Sequence, residues 1–149
     1  MKLISLLEKI GFGQYTSKGV DDVVVDKFED LKYELLKTID LLLKNTDFNK
    51  HTYYINESWF NYYNLGNHQS FHNHASYTIS GCFLSGVLYL ESDNTSIEFT
   101  DLYSMRQNTI KIIPKQYHLL LFDSDSLHKV DPVTNEGRIT LAFNVRFMG

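Results

Sequence analysis

At 149 residues, with 43% hydrophobic and 21% charged side chains, the chain has the size and balance of one folded domain rather than a disordered tail. Such a domain buries roughly two thirds of its unfolded surface. A formal charge of -4 and no basic cluster argue against nucleic acid as a partner, and no apolar run reaches the length of a membrane span.

In chain order, residues 2 to 10 read as a short helix that stops at the "GFG" of 11 to 13. Glu8 and Lys9 interrupt its apolar run, so no secretory leader is expected here. Residues 21 to 50 read as one longer helix. Val24, Phe28, Leu31, Leu35, Ile39 and Leu42 recur at three- and four-residue steps, with charged residues between them. Asp21 or Asp22 is the expected N-cap, and "KNTDFN" supplies the stop.

From residue 52 the texture changes. "TYYINESWFNYYNLG", "CFLSGVLYLES", "SIEFTDLY", "TIKIIP", "YHLLLFDSD" and "RITLAFNVRFM" are short runs rich in β-branched and aromatic residues, separated by Asn, Asp, Gly, Ser or Pro. Aromatics at 14% fit this β-rich reading. The expected architecture is a single domain: helical support over 1–50, packed on one face of a β-rich antiparallel core over 52–149. Cys82 is the only cysteine, which excludes an internal disulfide and fits a reducing, cytoplasmic compartment.

The chemistry concentrates in "FHNH". On a strand, His72 and His74 point to one face and Asn73 to the other, so two imidazoles can grip one metal ion. The best third ligand is His128 in "FDSDSLHKVDP", expected where a strand exits into a loop. Three protein ligands leave open positions, as a catalytic metal requires. The plainer alternative is a pair of surface histidines, and Asp125 is an alternative ligand. His51, His68 and His118 read as rim or surface histidines, and Asp123, Asp125 and Asp131 as turn residues. By default Arg138 and Arg146 are exposed strand charges, and Tyr62 and Tyr89 core aromatics.

The order "ESWFNYYNLGNHQSFHNH", "SGVLYLES", "FDSDSLHKVDPVTNEGRITLAFN" resembles the 2-oxoglutarate/Fe(II)-dependent oxygenases, closest to their small prolyl-4-hydroxylase-like branch with many phage members. The resemblance spans roughly residues 54 to 147, and its most specific piece is His128, Val130 and Pro132 followed by Arg138. It implies a double-stranded β-helix of the jelly-roll or cupin type. It further implies Fe(II) on His72, His74 and His128, and 2-oxoglutarate as cosubstrate, with ascorbate as a reductant. Arg138 and Tyr89 would hold the far carboxylate of 2-oxoglutarate, Tyr62 would belong to the same pocket, and Asn144 would line it from the Arg138 strand. The implied reaction hydroxylates a peptide side chain, such as prolyl, or a small molecule, in the cytoplasm or a viral host's cytoplasm.

The sequence departs from the family twice. His74 stands where the superfamily's usual triad has a carboxylate. Two Ser-Gly pairs, Ser80-Gly81 and Ser85-Gly86, compete for one motif position, and "SGVLYL" favours the second. Two other functions fit the histidines: a cupin-like three-histidine dioxygenase without 2-oxoglutarate, for which the Arg138 spacing has no purpose, and a jelly-roll binding module without turnover.

Overall fold

The computed structural model describes residues 22–50, 52–74, 82–92, 94–100, 108–134 and 138–148. The apolar and aromatic runs form strands β1 (Thr52–Tyr63), β3 (Cys82–Glu91), β4 (Ile97–Thr100), β5 (Thr109–Ile112), β6 (Leu119–Asp123) and β8 (Arg138–Met148). Two short strands complete the set: β2 (Gln69–His72), which ends at the first histidine of the strand expected to hold both His72 and His74, and β7 (Leu127–Val130). They assemble into two four-stranded antiparallel sheets, ordered β1-β8-β3-β6 and β2-β7-β4-β5. Non-sequential strand order of this kind is the crossing pattern of a jelly roll rather than of a simple meander.

The first sheet has two differently used faces. Along β8, Leu141, Phe143 and Val145 turn outward and are fully buried against Val24, Leu35, Ile39 and Leu43. Arg138, Thr140, Ala142 and Asn144 alternate with them and turn inward between the sheets. Gly86 of β3 lies opposite Phe143, and a Cβ there would come 2.1 Å from the ring's Cζ. The absence of a side chain at Gly86 is what seats this core ring.

The single long helix expected over 21 to 50 is divided. A 3-10 turn covers Val24–Lys27, the α-helix α1 covers Glu29–Leu43, and a second 3-10 turn covers Asp47–Lys50. Val24 and Val25 are both buried, so this stretch packs on two sides, and Ser58 Oγ accepts a 2.9 Å hydrogen bond from the Val25 N–H. The 3-10 turn has Val23 rather than Asp22 at its N-cap, and the Asp22 carbonyl accepts from the Ser58 N–H at 2.8 Å, stitching the segment to β1. The N-cap position is Phe28, which offers no side-chain acceptor. The buried stripe of α1 is Leu35, Ile39 and Leu43, stepping by four, while Leu42 is half exposed. Thr46 ends this stretch through a 2.8 Å bond from its hydroxyl to the Leu43 carbonyl. The helix expected over 2 to 10, Asp21 and Ser80-Gly81 lie outside the described residues.

Among the described residues, no helix is long and apolar enough to cross a membrane.

Candidate metal centre

His72 ends β2 and lies directly opposite His128 on β7, their ring centroids 4.3 Å apart. His128 is therefore a strand residue, not the loop-exit residue expected, and pairing across strands is what joins the two. The pairing is irregular. Gln69 and His72 are three apart but face Val130 and His128, which are two apart, so β2 holds one extra residue. Such a bulge re-aims side chains, and here it turns both Gln69 and His72 into the cleft. His74 lies beyond the strand end, held by a 2.7 Å bond from its N–H to the Ser124 carbonyl. Its ring centroid is 5.8 Å from that of His72 and 5.4 Å from that of His128.

One ring nitrogen from each histidine lies within 4.8 Å of the others. The outward nitrogens are all engaged. His72 Nδ1 meets the Ser70 carbonyl at 2.8 Å, and His128 Nδ1 meets the Ser126 carbonyl at 2.9 Å. A carbonyl only accepts, so both Nδ1 atoms carry the proton and both Nε2 atoms keep the lone pair. His74 Nδ1 lies 2.9 Å from both Ser85 Oγ and Asn144 Oδ1. Outer partners on each Nδ1 are the arrangement that orients imidazoles for a metal.

The cluster sits in apolar surroundings. The Phe122 ring lies 4.9 Å and the Phe99 ring 5.7 Å from the His128 ring. Burial, reinforced by the two neighbouring histidines and opposed by the Ser126 carbonyl, pushes the His128 pKa down to about 4. At neutral pH the ring is uncharged, as a ligand must be. Trp59 closes another side, its ring 6.0 Å from that of His74.

The same cleft, with a cavity volume of about 40 Å³, continues to Arg138. This guanidinium is 1% exposed, so it is no surface charge. Its Cζ lies 5.2 Å from the ring centroids of both Tyr63 and Tyr89, and one amino group donates to the Thr95 carbonyl at 3.1 Å. Burial, opposed by the Arg138 cation, pushes the Tyr89 phenol up to about 12, and burial likewise raises Tyr63. Both remain neutral donors. The Tyr89 hydroxyl is buried and meets no acceptor in good geometry among the described residues, which is costly without a ligand to satisfy it.

The expected pocket residues are thus sorted. His72, His74, His128, Arg138 and Tyr89 share one cleft. Tyr62 does not belong there: β1 alternation puts Trp59, Asn61 and Tyr63 inward, while Tyr62 lies across from Ile139 on the other face. Tyr63 occupies the place expected for Tyr62. Asn144 does face inward with Arg138, but its contact is His74, at the other end of the cleft. Ser85, singled out only as part of a Ser-Gly pair, bonds His74; its role needs the fold, because nothing in "SG" marks a histidine partner. Asp125 is an exposed turn residue outside the cluster, and His68, His118 and Arg146 are exposed. His51 lies outside the described residues.

These residues suit the two groups that the resemblance implies. Three imidazoles converging on one point, each with Nδ1 engaged from outside, suit a divalent first-row metal. A buried guanidinium beside an unsatisfied phenol suits a carboxylate.

Comparison with known proteins agrees. Residues 58–146 match the family model described as the 2OG-Fe(II) oxygenase superfamily. No curated protein matches the chain in sequence. Among solved structures, a Pseudomonas putida prolyl-4-hydroxylase aligns with TM-score 0.62 at 20% identity, over 80% of this chain and 65% of that one. The 2OG complex of the viral collagen prolyl hydroxylase vCPH from Paramecium Bursaria Chlorella virus-1 gives 0.59 at 14%, over 80% and 74%. A Burkholderia pseudomallei oxidoreductase of the 2OG-Fe(II) oxygenase family gives 0.58 at 16%, over 74% of this chain. This chain spans 57% of the Burkholderia protein's length. With a family match over more than half its length on a jelly-roll fold, the chain belongs to the 2OG-Fe(II) oxygenase superfamily.

Proposed function

We infer that this protein is an Fe(II)- and 2-oxoglutarate-dependent dioxygenase that hydroxylates a prolyl or other peptide side chain, with His72, His74 and His128 as the metal ligands. The observation that carries this reading is the joining, in one cleft, of three inward imidazole nitrogens and a buried Arg138–Tyr89 pair. The peptide substrate is favoured by the prolyl hydroxylases of Pseudomonas and the Chlorella virus among the structural neighbours.

Fe(II) with 2-oxoglutarate and O2 supplies the oxidising power: substrate C–H becomes C–OH, and 2-oxoglutarate becomes succinate and CO2. The chain supplies position. His72 and His128 present Nε2 because the Ser70 and Ser126 carbonyls hold their Nδ1 protons. Arg138, fixed between two tyrosine rings and the Thr95 carbonyl, offers its guanidinium to the far carboxylate of the cosubstrate, with the buried Nε–H still to be satisfied. The Tyr89 hydroxyl donates to the same carboxylate, satisfying a group that is otherwise buried at a cost. Phe99, Phe122 and Trp59 keep water from the histidines.

Succinate release from 2-oxoglutarate, measured with reconstituted iron and ascorbate, tests this reading. His72→Ala and His128→Ala are expected to abolish it, and Arg138→Ala mainly to raise the 2-oxoglutarate concentration required. Undiminished turnover in both histidine variants overturns the ligand assignment. A three-histidine dioxygenase independent of 2-oxoglutarate leaves Arg138 without a role, and lacks the visible charge-transfer band expected when 2-oxoglutarate meets the anaerobic Fe(II) protein.

A further inference from the structure

His74 brings an uncharged imidazole where the usual iron triad has a carboxylate, so a three-histidine centre has one negative charge fewer. Yet its outward nitrogen leads to a carboxylate. His74 Nδ1 is 2.9 Å from Asn144 Oδ1, and Asn144 Nδ2 donates to Glu57 Oε2 over 3.0 Å. A carboxylate only accepts, so Glu57 fixes the amide with Nδ2 toward itself and Oδ1 toward His74. An amide oxygen also only accepts, so His74 carries its proton on Nδ1 and keeps the Nε2 lone pair. The Ser85 hydroxyl donates to the same Oδ1 at 2.7 Å. Its oxygen is then left to accept from His74 at 2.9 Å and from the Ser124 hydroxyl at 3.0 Å. Every proton in this cluster has one direction, and Glu57 sets it.

The backbone is built to bring Glu57 there. In β1, Ile55 lies opposite Val145 and Glu57 opposite Asn144, so Asn56 is an extra residue. Without that bulge Asn56 would lie opposite Asn144, and Glu57 would lie opposite Phe143, on the face that packs against α1.

We propose that Glu57, acting through the Asn144 amide, is a positioning residue for His74: it fixes the tautomer and makes Nε2 a stronger metal donor. Part of the negative charge lost with the carboxylate ligand is thereby returned through two hydrogen bonds, from Glu57 by way of Asn144. The proposal rests on the reading of His72, His74 and His128 as metal ligands.

The test uses the full chain with Co(II) as probe, its affinity measured by competition with a chromophoric chelator. Glu57→Gln keeps the shape and removes the charge. It is expected to weaken Co(II) binding roughly 10- to 100-fold. In the Co(II) protein it is also expected to move one hyperfine-shifted imidazole N–H resonance while leaving the other two in place. The double variant Glu57→Gln, Asn144→Asp places a carboxylate directly on His74 Nδ1 and is expected to recover most of the affinity. That recovery separates charge from mere folding, since a structural role for Glu57 predicts no rescue. Equal affinity in wild type and Glu57→Gln, or no recovery in a folded double variant, overturns the proposal. If the wild type itself binds no Co(II), the metal-site reading fails and takes the proposal with it.

Discussion

Arg138→Lys tests whether the buried guanidinium acts as a fork or only as a charge. The residue is 1% exposed, with each tyrosine ring 5.2 Å from Cζ and one amino group occupied by the Thr95 carbonyl. Two parallel N–H groups on one carboxylate are charge-assisted bonds worth about 1.5–3 kcal/mol each. Lysine keeps the positive charge but offers a point donor, so one of the two bonds is lost, and stacking on the rings weakens. The expected cost is about 2–3 kcal/mol, or roughly 30- to 150-fold weaker 2-oxoglutarate binding. The chain provides its own reporter, because its only tryptophan, Trp59, lines the same cleft. Fluorescence titration with 2-oxoglutarate, with Mn(II) replacing iron to prevent turnover, reads the affinity, and the melting temperature checks that the variant is folded. A folded lysine variant that binds within about threefold of wild type refutes bidentate recognition.

Two further predictions concern the scaffold and the histidine cluster. Gly86→Ala drives a methyl to 2.1 Å from the fully buried Phe143 ring, which must shift to admit it. Overpacking of this severity is expected to cost about 3 kcal/mol and lower the melting temperature by about 5–10 °C, with partial rescue by Phe143→Leu; an unchanged melting temperature contradicts it. In the metal-free protein His128 titrates near 4 when folded and near 6.5 when unfolded. As pH falls the unfolded chain takes the proton first, so stability is lost between those two values and is unaffected by this group above about 7. The loss is at most about 3 kcal/mol. Denaturant melts of chelator-treated protein at pH 7.5, 6 and 5 should show it, and a His128→Asn variant with the same pH slope would refute the assignment.

The sequence by itself determined the β-rich class and, at Leu35 and Ile39, part of the buried stripe of α1, and it pointed to the three histidines that the fold brings together, because these depend on local period and residue type. Alternation along a regular strand also placed Arg138 and Asn144 on one face, and it remained valid because β8 pairs with β1 along its whole Arg138–Met148 length. It failed wherever a strand gains a residue. The bulge at Asn56 turns Glu57 inward, the extra residue in β2 puts Gln69 beside His72, and neither leaves a mark in residue type. Tyr62 and Tyr63 are chemically the same, so only the register of β1 on β8 selects Tyr63 for Arg138. Strand alternation was expected to join His72 to His74, yet β2 ends at His72, and it is the pairing of β2 with β7 that sets His72 against His128. Tertiary structure also decided what His74 rests on. Ser85, Asn144 and Glu57 are 11, 70 and 17 positions away in the chain, and only the packing of β1, β8 and β3 brings Ser85 and Asn144 to the imidazole and Glu57 to Asn144.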